Sequence, residues 1–384
     1  MFKRVYLDWN ATAPLLEVAR KSFIKALDSS HGNPSSIHRE GQQNRFYIEE
    51  SRRIISNFCG AKSDNVIFTS SATESANLVL TPNFYRGSQK LSIDSLYVSA
   101  IEHPCVYEGG RFPSNKIHKV PVLSKGIVDI QGLADCLDKR DSKCGIPMIA
   151  IMLVNNETGV IQPINKIAKI VKKHQGILVV DAVQAAGRIP ISIEEIKADF
   201  LIISSHKLGA PIGVGALVFR EDFLLPSPIL LGGNQEKGYR AGTENYAAIS
   251  GFAAAAQQMG ENIQKRSSRI SAIRNYLEQE LKKIIPNIII YGEEVDRVSN
   301  TCCFSIPFLK AEVLQIALDL EGIAVSAGSA CSSGKIKRNY VIDAMGYDTS
   351  QGALRISSGD TTTQEDIDIF LKSLKKVIRY SKVI

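Results

Sequence analysis

The chain contains 384 residues, of which 44% are hydrophobic and 22% are charged, and these values are typical of a soluble globular protein of about two domains. It lacks an uninterrupted run of about 18 apolar residues, which excludes a helix that spans a membrane. The first residues, MFKRVYLDWNATAP, lack the apolar core of a secretory signal, so we expect a cytoplasmic protein.

The formal net charge is +7, because 46 Lys and Arg residues outnumber 39 Asp and Glu residues. Basic residues cluster at 335–338 and 372–382, without the basic arm or aromatic-rich patch of a nucleic-acid-binding protein. We interpret the clusters as solvated surface, and a docking face for an acidic partner protein is the alternative. Neither nucleic acid nor a membrane is an expected partner.

The seven cysteines form no C-x-x-C pair, and their number is odd. This pattern argues against a disulfide framework and against a metal cluster. We therefore expect free thiols, most of them buried, and no bound metal.

Two helices and a strand–turn–helix unit are predicted early in the chain. The helices cover about 15–28 and 42–59, with turn-forming residues at 31–41 between them. The apolar run Val66–Thr69 predicts a strand, which ends in small residues before a helix begins at Glu74. Backbone N–H groups and the helix dipole favour an anion at such a turn. A phosphate site is one interpretation, and an ordinary helix cap is the other.

Polar residues then follow four predicted strands at their carboxyl ends. The strands cover 96–99, 146–154, 177–180 and 200–203. They alternate with helices in the pattern of a doubly wound α/β sheet, whose ligands bind beyond the carboxyl ends of the strands. We therefore expect one crevice to collect the side chains of Thr73, His103, Asn156, Asp181 and Lys207.

His103 lies in the segment IEHP, which follows the predicted strand at 96–99. Because a proline follows, we predict no helix there and expect the imidazole to leave the edge of the sheet. A structural histidine is the alternative, because a lone histidine more often has that role.

Lys207 follows a buried strand and precedes the glycine-rich turn GAPIGVG. We expect its side chain to point inward, where loss of water lowers the pKa of an amine and suits it to form a Schiff base. A surface lysine in a loop is the alternative. Asp181 stands directly after the run ILVV and needs a cationic partner if it is buried. Lys207 and a protonated ring nitrogen of a cofactor are the two candidates.

The last third of the chain predicts a smaller α+β unit. An alanine-rich helix at 247–259 continues, without a linker signal, as a charged helix to about 285. The later predicted elements are strands near 288–291, 300–306 and 353–357 and helices at 311–321, 339–345 and from 363 or 364 onward. A loop rich in Gly, Ser and Ala, SAGSACSSG, lies between the predicted helices at 311–321 and 339–345 and contains Cys331.

Eleven short segments stand in order along nearly the whole chain: YLDWNATA, GNPSSIH, FTSSATES, EHP, NNETGVIQPI, DAVQAAG, SSHK, GVGAL, GYRAGTEN, SAGSACSSG and ALRISSGDTTT. Together they resemble the NifS/IscS-like cysteine desulfurases of the class V aminotransferase superfamily. The resemblance implies a fold-type I enzyme that uses pyridoxal 5'-phosphate (PLP). Its fold would be α/β, with a mixed, mostly parallel sheet flanked by helices in the large domain.

The resemblance also implies a domain division and a partner. The large PLP-binding domain would cover 14–255, and the smaller α+β domain would cover 1–13 and 256–384. The enzyme would be a homodimer that acts on L-cysteine and serves a sulfur-acceptor or scaffold protein.

Roles around the cofactor ring follow from the resemblance, residue by residue. Lys207 would hold PLP as a Schiff base, and Asp181 would keep the pyridine nitrogen protonated, so that the ring remains an electron sink. His103 would stack on the ring and transfer protons. Gln184 would bond the ring hydroxyl, and Asn156 would contact both cofactor and substrate.

The resemblance assigns the phosphate and the substrate carboxylate to other residues. Arg355 would bind the carboxylate of the amino acid as a two-pronged donor. Thr243 would reach the phosphate from the second subunit. Within one subunit, the phosphate would be held by Ala72, Thr73, Ser204 and His206.

Cys331 is implied as the nucleophile that selects the reaction. Its thiolate would take sulfur from L-cysteine, so that L-alanine is released and a persulfide forms for iron–sulfur cluster assembly or tRNA thiolation. The thiolate is the reactive form, and Lys335, Lys337 or His103 would assist it. A selenocysteine lyase or another PLP-dependent lyase or transferase of the same fold is the alternative. A third reading is a non-catalytic paralogue kept as an assembly partner.

The sequence departs from the family pattern at three places. After the cysteine loop stands KIKRNY, where a Ser-His or similar pair is expected. Ile212 stands where a second lysine is common, and the glycine loop reads GGNQE rather than GGGQE. These departures leave open which protein accepts the sulfur.

Overall fold

The computed structural model describes residues 4–29, 31–141, 145–307, 309–328 and 339–381. The helices in these ranges are α1 (Glu17–Ser29), α2 (Arg39–Phe58), α3 (Ala72–Val79), α4 (Pro104–Tyr107), α5 (Ile130–Asp138), α6 (Ile164–Lys173), α7 (Ile193–Ile196), α8 (Tyr246–Gly260), α9 (Ile263–Ile284), α10 (Ala311–Leu320), α11 (Tyr340–Ala344) and α12 (Gln364–Ser381). The strands are β1 (Val5–Tyr6), β2 (Val66–Thr69), β3 (Asn83–Arg86), β4 (Gln89–Ser99), β5 (Ile117–Val120), β6 (Ile146–Met152), β7 (Ile177–Asp181), β8 (Phe200–Ser204), β9 (Gly215–Phe219), β10 (Leu224–Pro226), β11 (Ile289–Ile290), β12 (Thr301–Ser305), β13 (Ile323–Ala324) and β14 (Leu354–Ser357). No helix among these residues is both long enough and apolar enough to cross a membrane.

A nine-stranded mixed sheet forms the centre of the larger part of the molecule. Its strand order is β10-β3-β4-β6-β7-β8-β9-β2, and β5 pairs with the carboxyl half of β4. The strands β5, β4, β6, β7 and β8 run parallel to one another, whereas β9 and β3 are antiparallel to their neighbours. The carboxyl ends of the parallel strands therefore share one edge, as the alternation of strands and helices predicts.

Both faces of the sheet are buried at the central strands β6, β7, β8 and β9, which explains why these strands read as apolar runs. In β6, Ile149 and Ile151 belong to one hydrophobic cluster, whereas Met148 and Ala150 belong to the cluster on the opposite face. The alanine-rich helix α8 packs on α1 and α2 over the first face. Its small side chains bring these helices close together.

A smaller antiparallel sheet of order β11-β12-β14 forms a second core with α9, α10 and α12. The chain begins in this core, because Val5 and Leu7 belong to it and β1 pairs with β13. The chain then crosses to the large sheet, with Asp8 opposite Ser357 in an isolated bridge. The residues just after β1 thus lie between the two sheets.

Two expectations about helices are wrong. The predicted continuous helix to about 285 is broken between α8 and α9, where Asn262 adopts a left-handed conformation with φ 54°. Asparagine tolerates this conformation better than most residues. Pro104 does not prevent a helix but begins α4, and His103 caps that helix. Proline suits the first helical position, because the N–H that it lacks has no partner there.

The hairpin of β3 and β4 is absent from the sequence prediction, which places a strand only at 96–99. That stretch is the end of an eleven-residue strand, β4. β3 buries only Phe84, and the first half of β4 alternates exposed polar residues with the buried Leu91 and Ile93. This apolar alternation covers only two buried positions, and the sequence analysis does not identify it as a strand.

A buried ion pair covers the open edge of β2, the last strand of the sheet. The Arg52 guanidinium bonds both carboxylate oxygens of Glu236 at 2.8 Å. Arg52 also donates to the carbonyl of Val66 (2.6 Å), and the N–H of Phe68 donates to Glu236 (2.7 Å). The pair thus replaces a neighbouring strand and satisfies backbone groups of the edge. Glu236 does so from a left-handed conformation with φ 47°, which is unfavourable for a residue with a side chain.

We expect Arg52→Met to lower the free energy of unfolding by about 3–5 kcal/mol, because it leaves the Glu236 carboxylate buried without its cation. Urea unfolding followed by circular dichroism measures the loss. Arg53→Met is the matched control, since Arg53 forms an exposed ion pair with Glu50 one residue along α2. Equal losses in the two variants would contradict a special role of the buried pair.

Candidate active site

One cavity lies at the edge where the parallel strands end. Its volume is about 230 Å³. Its lining residues are Ser71, Ala72, Thr73, His103, Cys105, Met152, Val154, Asn156, Asp181, Val183, Gln184, Ser204, His206 and Lys207. The predicted convergence of Thr73, His103, Asn156, Asp181 and Lys207 is therefore present in the fold.

Each of these side chains reaches the cavity from the end of a strand. His103 follows β4, Asn156 follows β6, Asp181 ends β7, and Lys207 follows β8. The turn at Thr73 follows β2, which is separated from β8 only by the antiparallel strand β9 and so points the same way as β8. Strand direction alone thus brings together residues far apart in sequence.

The turn between β2 and α3 has the features of an anion site. The Ser71 hydroxyl caps α3 by accepting the N–H of Glu74 (3.1 Å), and the next residues, Ala72 and Thr73, begin the helix. A Cβ at Gly215 would lie 2.5 Å from the carbonyl carbon of Ser71, so only glycine lets β9 approach this turn. The helix N-terminus faces the cavity with its positive dipole end.

Lys207 stands in a single 3-10 turn, His206–Leu208, directly after β8. Its Nζ donates to the backbone carbonyls of Asn10 and Ala11, both at 2.6 Å. Burial, and then the charges of Arg188 and Arg355, lower the pKa of Lys207 to about 8. The expected inward side chain and lowered pKa are present. Lys207 is one of the two cationic partners expected for Asp181. In this structure it does not pair with Asp181, because its amine bonds the two backbone carbonyls.

Asp181 is buried and faces the cavity. Its Oδ1 accepts the N–H of Val183 at 2.9 Å, and no described Lys or Arg forms an ion pair with it. Burial raises the pKa of Asp181 to about 6, although the Val183 N–H and the charge of Lys207 oppose the rise. A cation brought into the cavity would find this carboxylate ready to pair.

His103 is neutral at pH 7, because burial, and then the charge of Lys207, lowers its pKa to about 4. Its Nδ1 accepts the backbone N–H of Cys105 (3.3 Å) and lies 3.1 Å from the Cys105 thiol. A nitrogen that accepts a hydrogen bond carries no proton of its own. The neutral ring therefore carries its proton on Nε2. The sequence analysis treats Cys105 only as a free thiol, because nothing in the sequence shows its contact with His103.

Arg355, on β14, is buried beside this cavity and is already paired. Its Nη2 lies 2.9 Å from Asp8, and its Nη1 lies 3.3 Å from Glu157. Nη1 also donates to the backbone carbonyl of Asn156 (3.0 Å). In this cluster, Nε of Arg355, Oδ1 of Asn156 and Oε2 of Glu157 are buried without a hydrogen-bond partner among the described residues.

The sequence analysis gives no role to Asp8 or Glu157. Both stand inside motifs that carry the family resemblance, YLDWNATA and NNETGVIQPI. A carboxylate within a largely uncharged motif signals a buried cation elsewhere in the chain. The identity of that cation, Arg355, depends on how β14 packs against the other strands.

Among the described residues, two predicted site residues, Arg355 and Thr243, are not part of the cavity lining. Thr243 lies on an exposed loop before α8. Cys331 lies outside the described residues, as do Lys335 and Lys337.

The described cysteines are free thiols: Cys59, Cys105, Cys136, Cys302 and Cys303. Burial raises the pKa of both Cys59 and Cys105 to about 12. These two thiols are therefore protonated, and unreactive as nucleophiles, at neutral pH. Among the described residues, no group of three or more His, Cys, Asp or Glu side chains is placed to hold a metal ion.

Comparison with known proteins places the chain among similar sequences and structures. A family model described as aminotransferase class-V matches residues 5–370. The cysteine desulfurase IscS of Dictyoglomus turgidum is 36% identical over 389 aligned residues, which cover 100% of this chain and 97% of that protein. The cysteine desulfurase NifS of Azotobacter vinelandii is 31% identical over 380 residues, which cover 97% of this chain and 92% of that protein.

Solved structures show the same likeness. A NifS-like protein from Rickettsia africae ESF-5 superposes with a TM-score of 0.87 at 34% identity, covering 98% of this chain and 100% of that chain. This likeness, together with the mixed sheet flanked by helices, confirms the predicted fold class.

The lowered pKa of Lys207 predicts unusual reactivity. Formaldehyde with borohydride alkylates only the unprotonated amine, so the rate at Lys207 should reach half its maximum near pH 8, not near the ordinary 10.5. Mass spectrometry of the modified peptide measures this rate.

The control is Arg188→Met. Because the Arg188 charge lowers the pKa of Lys207, this variant should shift the midpoint of alkylation to higher pH. A wild-type midpoint near 10.5 would mean that the amine is solvated.

Proposed function

The chain belongs to the class-V aminotransferase family, and from that premise we propose that it is a cysteine desulfurase. It would remove sulfur from L-cysteine, release L-alanine and carry the sulfur as a persulfide on Cys331 until an acceptor protein takes it. The observation that carries the proposal is the meeting of a buried lysine and a buried carboxylate in one cavity with a helix N-terminus. The curated relatives named as cysteine desulfurases, which align along nearly the whole chain, support the substrate.

PLP is the cofactor that these residues fit. Asp181 is a buried carboxylate without a cationic partner among the described residues, and a protonated pyridine nitrogen would supply one. His103 is a neutral ring in the same cavity, suited to stack on the cofactor ring. Gln184 also lines the cavity and would bond the ring hydroxyl. Lys207 would hold the cofactor covalently through Nζ.

The phosphate of PLP fits the turn that begins α3. Ala72 and Thr73 present backbone N–H groups of the first helical turn. Ser204 and His206 line the same cavity from the end of β8 and would complete the site. An anion at this position also gains from the helix dipole.

When bound, PLP supplies an electron sink for bond breaking at the Cα of the amino acid. Lys207 then serves as the proton-transfer group, because an amine with a pKa of about 8 both accepts and releases a proton near neutral pH. His103 would hold a proton on Nε2 in the same cavity. Thus two proton carriers would be available without a metal ion.

Arg355 and Asn156 are the proposed site for the substrate carboxylate. Asp8 and Glu157 hold the guanidinium by its two terminal nitrogens. The unsatisfied Nε–H of Arg355 is a donor that an incoming carboxylate would satisfy. The two acidic neighbours would fix the plane of the guanidinium and so the direction of the substrate.

Cys331 is proposed as the sulfur carrier. Of the described cysteines in the cavity, Cys105 has a pKa of about 12 and would not act as a thiolate. Cys331 would attack the sulfur of the substrate as the bond from that sulfur to Cβ breaks. The persulfide formed on Cys331 would then pass to an acceptor or scaffold protein.

We also propose a homodimer, in which Thr243 reaches the phosphate site of the partner. The loop that carries Thr243 is anchored to the cavity wall, because Arg240 pairs with Glu74 on α3 (2.9 Å). Exposed apolar side chains occur on the described surface, including Ile37 (91% exposed) and Leu231 (79% exposed). A second subunit would cover such residues.

The two cores described above support a division into a large domain, 14–255, and a smaller domain made of 1–13 and 256–384. Hydrophobic clusters form separately around the nine-stranded and the three-stranded sheet. The cavity lies at the edge of the large sheet, and Arg355 extends from the smaller sheet to the backbone carbonyl of the lining residue Asn156 (3.0 Å).

Incubation of the yellow PLP-loaded protein with L-cysteine and a reducing thiol should yield alanine and sulfide. Cys331→Ala should keep the visible PLP absorbance and lose sulfide release, because the variant retains the cofactor and lacks the sulfur carrier. Chromatography of alanine and a colorimetric sulfide assay measure both products.

Lys207→Ala is the complementary control, and it should lose the PLP adduct that borohydride traps. Absence of alanine from the wild-type protein would refute the proposed function. Comparison of L-cysteine with L-selenocysteine as substrates would show which of the two the enzyme prefers.

A further inference from the structure

Asn10 occupies a position between the two sheets that the proposed function does not explain. It is 2% exposed and lies in the segment that follows β1. Its backbone N–H donates to the Ser357 hydroxyl on β14 (2.9 Å). Its backbone carbonyl accepts from Lys207 Nζ (2.6 Å) and from Gln184 Nε2 (3.1 Å). The main chain of Asn10 therefore touches the lysine that would anchor the cofactor.

The side chain of Asn10 is held in one orientation by a closed ring of hydrogen bonds. Its Nδ2 donates to the Thr301 hydroxyl (3.0 Å), which donates to the Asn300 carbonyl Oδ1 (3.1 Å). The Asn300 amide then donates back to Asn10 Oδ1 (3.0 Å). Each donor in the ring has an acceptor within the ring, and such a network is rigid when every member is satisfied.

A further bond joins this ring to the proposed substrate site. Nδ2 of Asn10 also donates to the backbone carbonyl of Asn156 (3.2 Å). That same carbonyl accepts from Nη1 of Arg355 (3.0 Å). Asn10 therefore contacts, through its own atoms, the segment that carries Asn156 and the amine of Lys207.

We propose that Asn10 is a positioning residue for Lys207. Its side chain would hold the peptide segment at 10–11 in place, so that two carbonyl oxygens receive the ε-amine at a set distance from Asn156 and Arg355. The role in the reaction rests on the proposed function, whereas the contact with Lys207 does not.

The physical consequence concerns the proton on Lys207. Two carbonyl oxygens at 2.6 Å stabilise the ammonium form and so oppose the effect of burial. If the side chain of Asn10 sets the position of these oxygens, its loss should make the amine a weaker base. A purely structural role would change the stability of the protein and leave the proton affinity of Lys207 unaltered.

Other charges also face Lys207, and the test leaves them in place. They are Arg188, Arg355, Asp8 and Asp181, together with His103 and His206, whose own pKa values are lowered by the charge of Lys207.

The experiment measures the pH midpoint of alkylation at Lys207 in the full-length protein from which PLP has been removed, without added substrate. Asn10→Ala should lower the midpoint by about one pH unit, because a hydrogen bond to a charged group has about that effect. Asn10→Asp has nearly the same shape but adds a negative charge, so it should raise the midpoint. Opposite shifts of the alkylation midpoint in the two variants would distinguish positioning of the Lys207 amine from a general loss of stability of the fold.

Asn65→Ala is the matched control. Asn65 is also 2% exposed, and its amide donates to the carbonyl of Arg220 (2.8 Å) at the start of β2, away from Lys207. We expect its midpoint to equal that of the wild type. Midpoints for both Asn10 variants that equal the control would overturn the proposal.

If neither Asn10 variant accumulates as folded protein, Asn300→Ala tests the same idea. It removes the donor to Asn10 Oδ1 and leaves Asn10 in place, so a smaller downward shift is expected, and no shift would overturn the proposal. A wild-type protein that forms no alanine from cysteine would refute the proposed function alone, because alkylation reports on Lys207 without any substrate.

Discussion

Neighbouring strands that run in the same direction must end at the same edge of a sheet, and the candidate site depends on this constraint. The strands β4, β6, β7 and β8 are adjacent and parallel. Their ends place His103, Asn156, Asp181 and Lys207 around one cavity, although about a hundred residues of chain separate the first from the last. The turn before α3 reaches the same edge because two antiparallel pairings, β8 with β9 and β9 with β2, restore the strand direction.

The buried ionisable groups fall into two classes that differ in their partners. Arg52 with Glu236, and Arg355 with Asp8 and Glu157, form ion pairs at 2.8–3.3 Å. Lys207 and Asp181, by contrast, bond mainly backbone groups. Because a carbonyl or an N–H only partly replaces an opposite charge, their pKa values move to about 8 and about 6, near neutrality. Groups that titrate near neutrality are suited to hold a cofactor and to transfer protons.

Much of the large sheet and most of the cavity lining follow from sequence, because buried parallel strands and the polar residues after them leave a clear pattern. Elements without that pattern do not. The hairpin of β3 and β4 has only a short apolar alternation, at Leu91 and Ile93, and the break at Asn262 depends on one residue in a left-handed conformation. The contacts of Asn10 and Cys105 also have no local signal. Asn10 bonds Lys207, which lies far along the chain, and Cys105 contacts His103 across a turn. These distances are set by the packing of the fold.

The order of the strands and helices in the core, the residues that follow the parallel strands and the family to which the motifs point can all be read from the amino-acid sequence. These properties are local, since each depends on side-chain periodicity and on short segments of chain. The pairing of the buried polar groups becomes visible only in the folded molecule: Lys207 bonds two carbonyls, Arg355 pairs with two carboxylates, and His103 contacts Cys105. The physical reason is that burial and hydrogen bonding, which set the pKa of a group, depend on neighbours brought together by the fold.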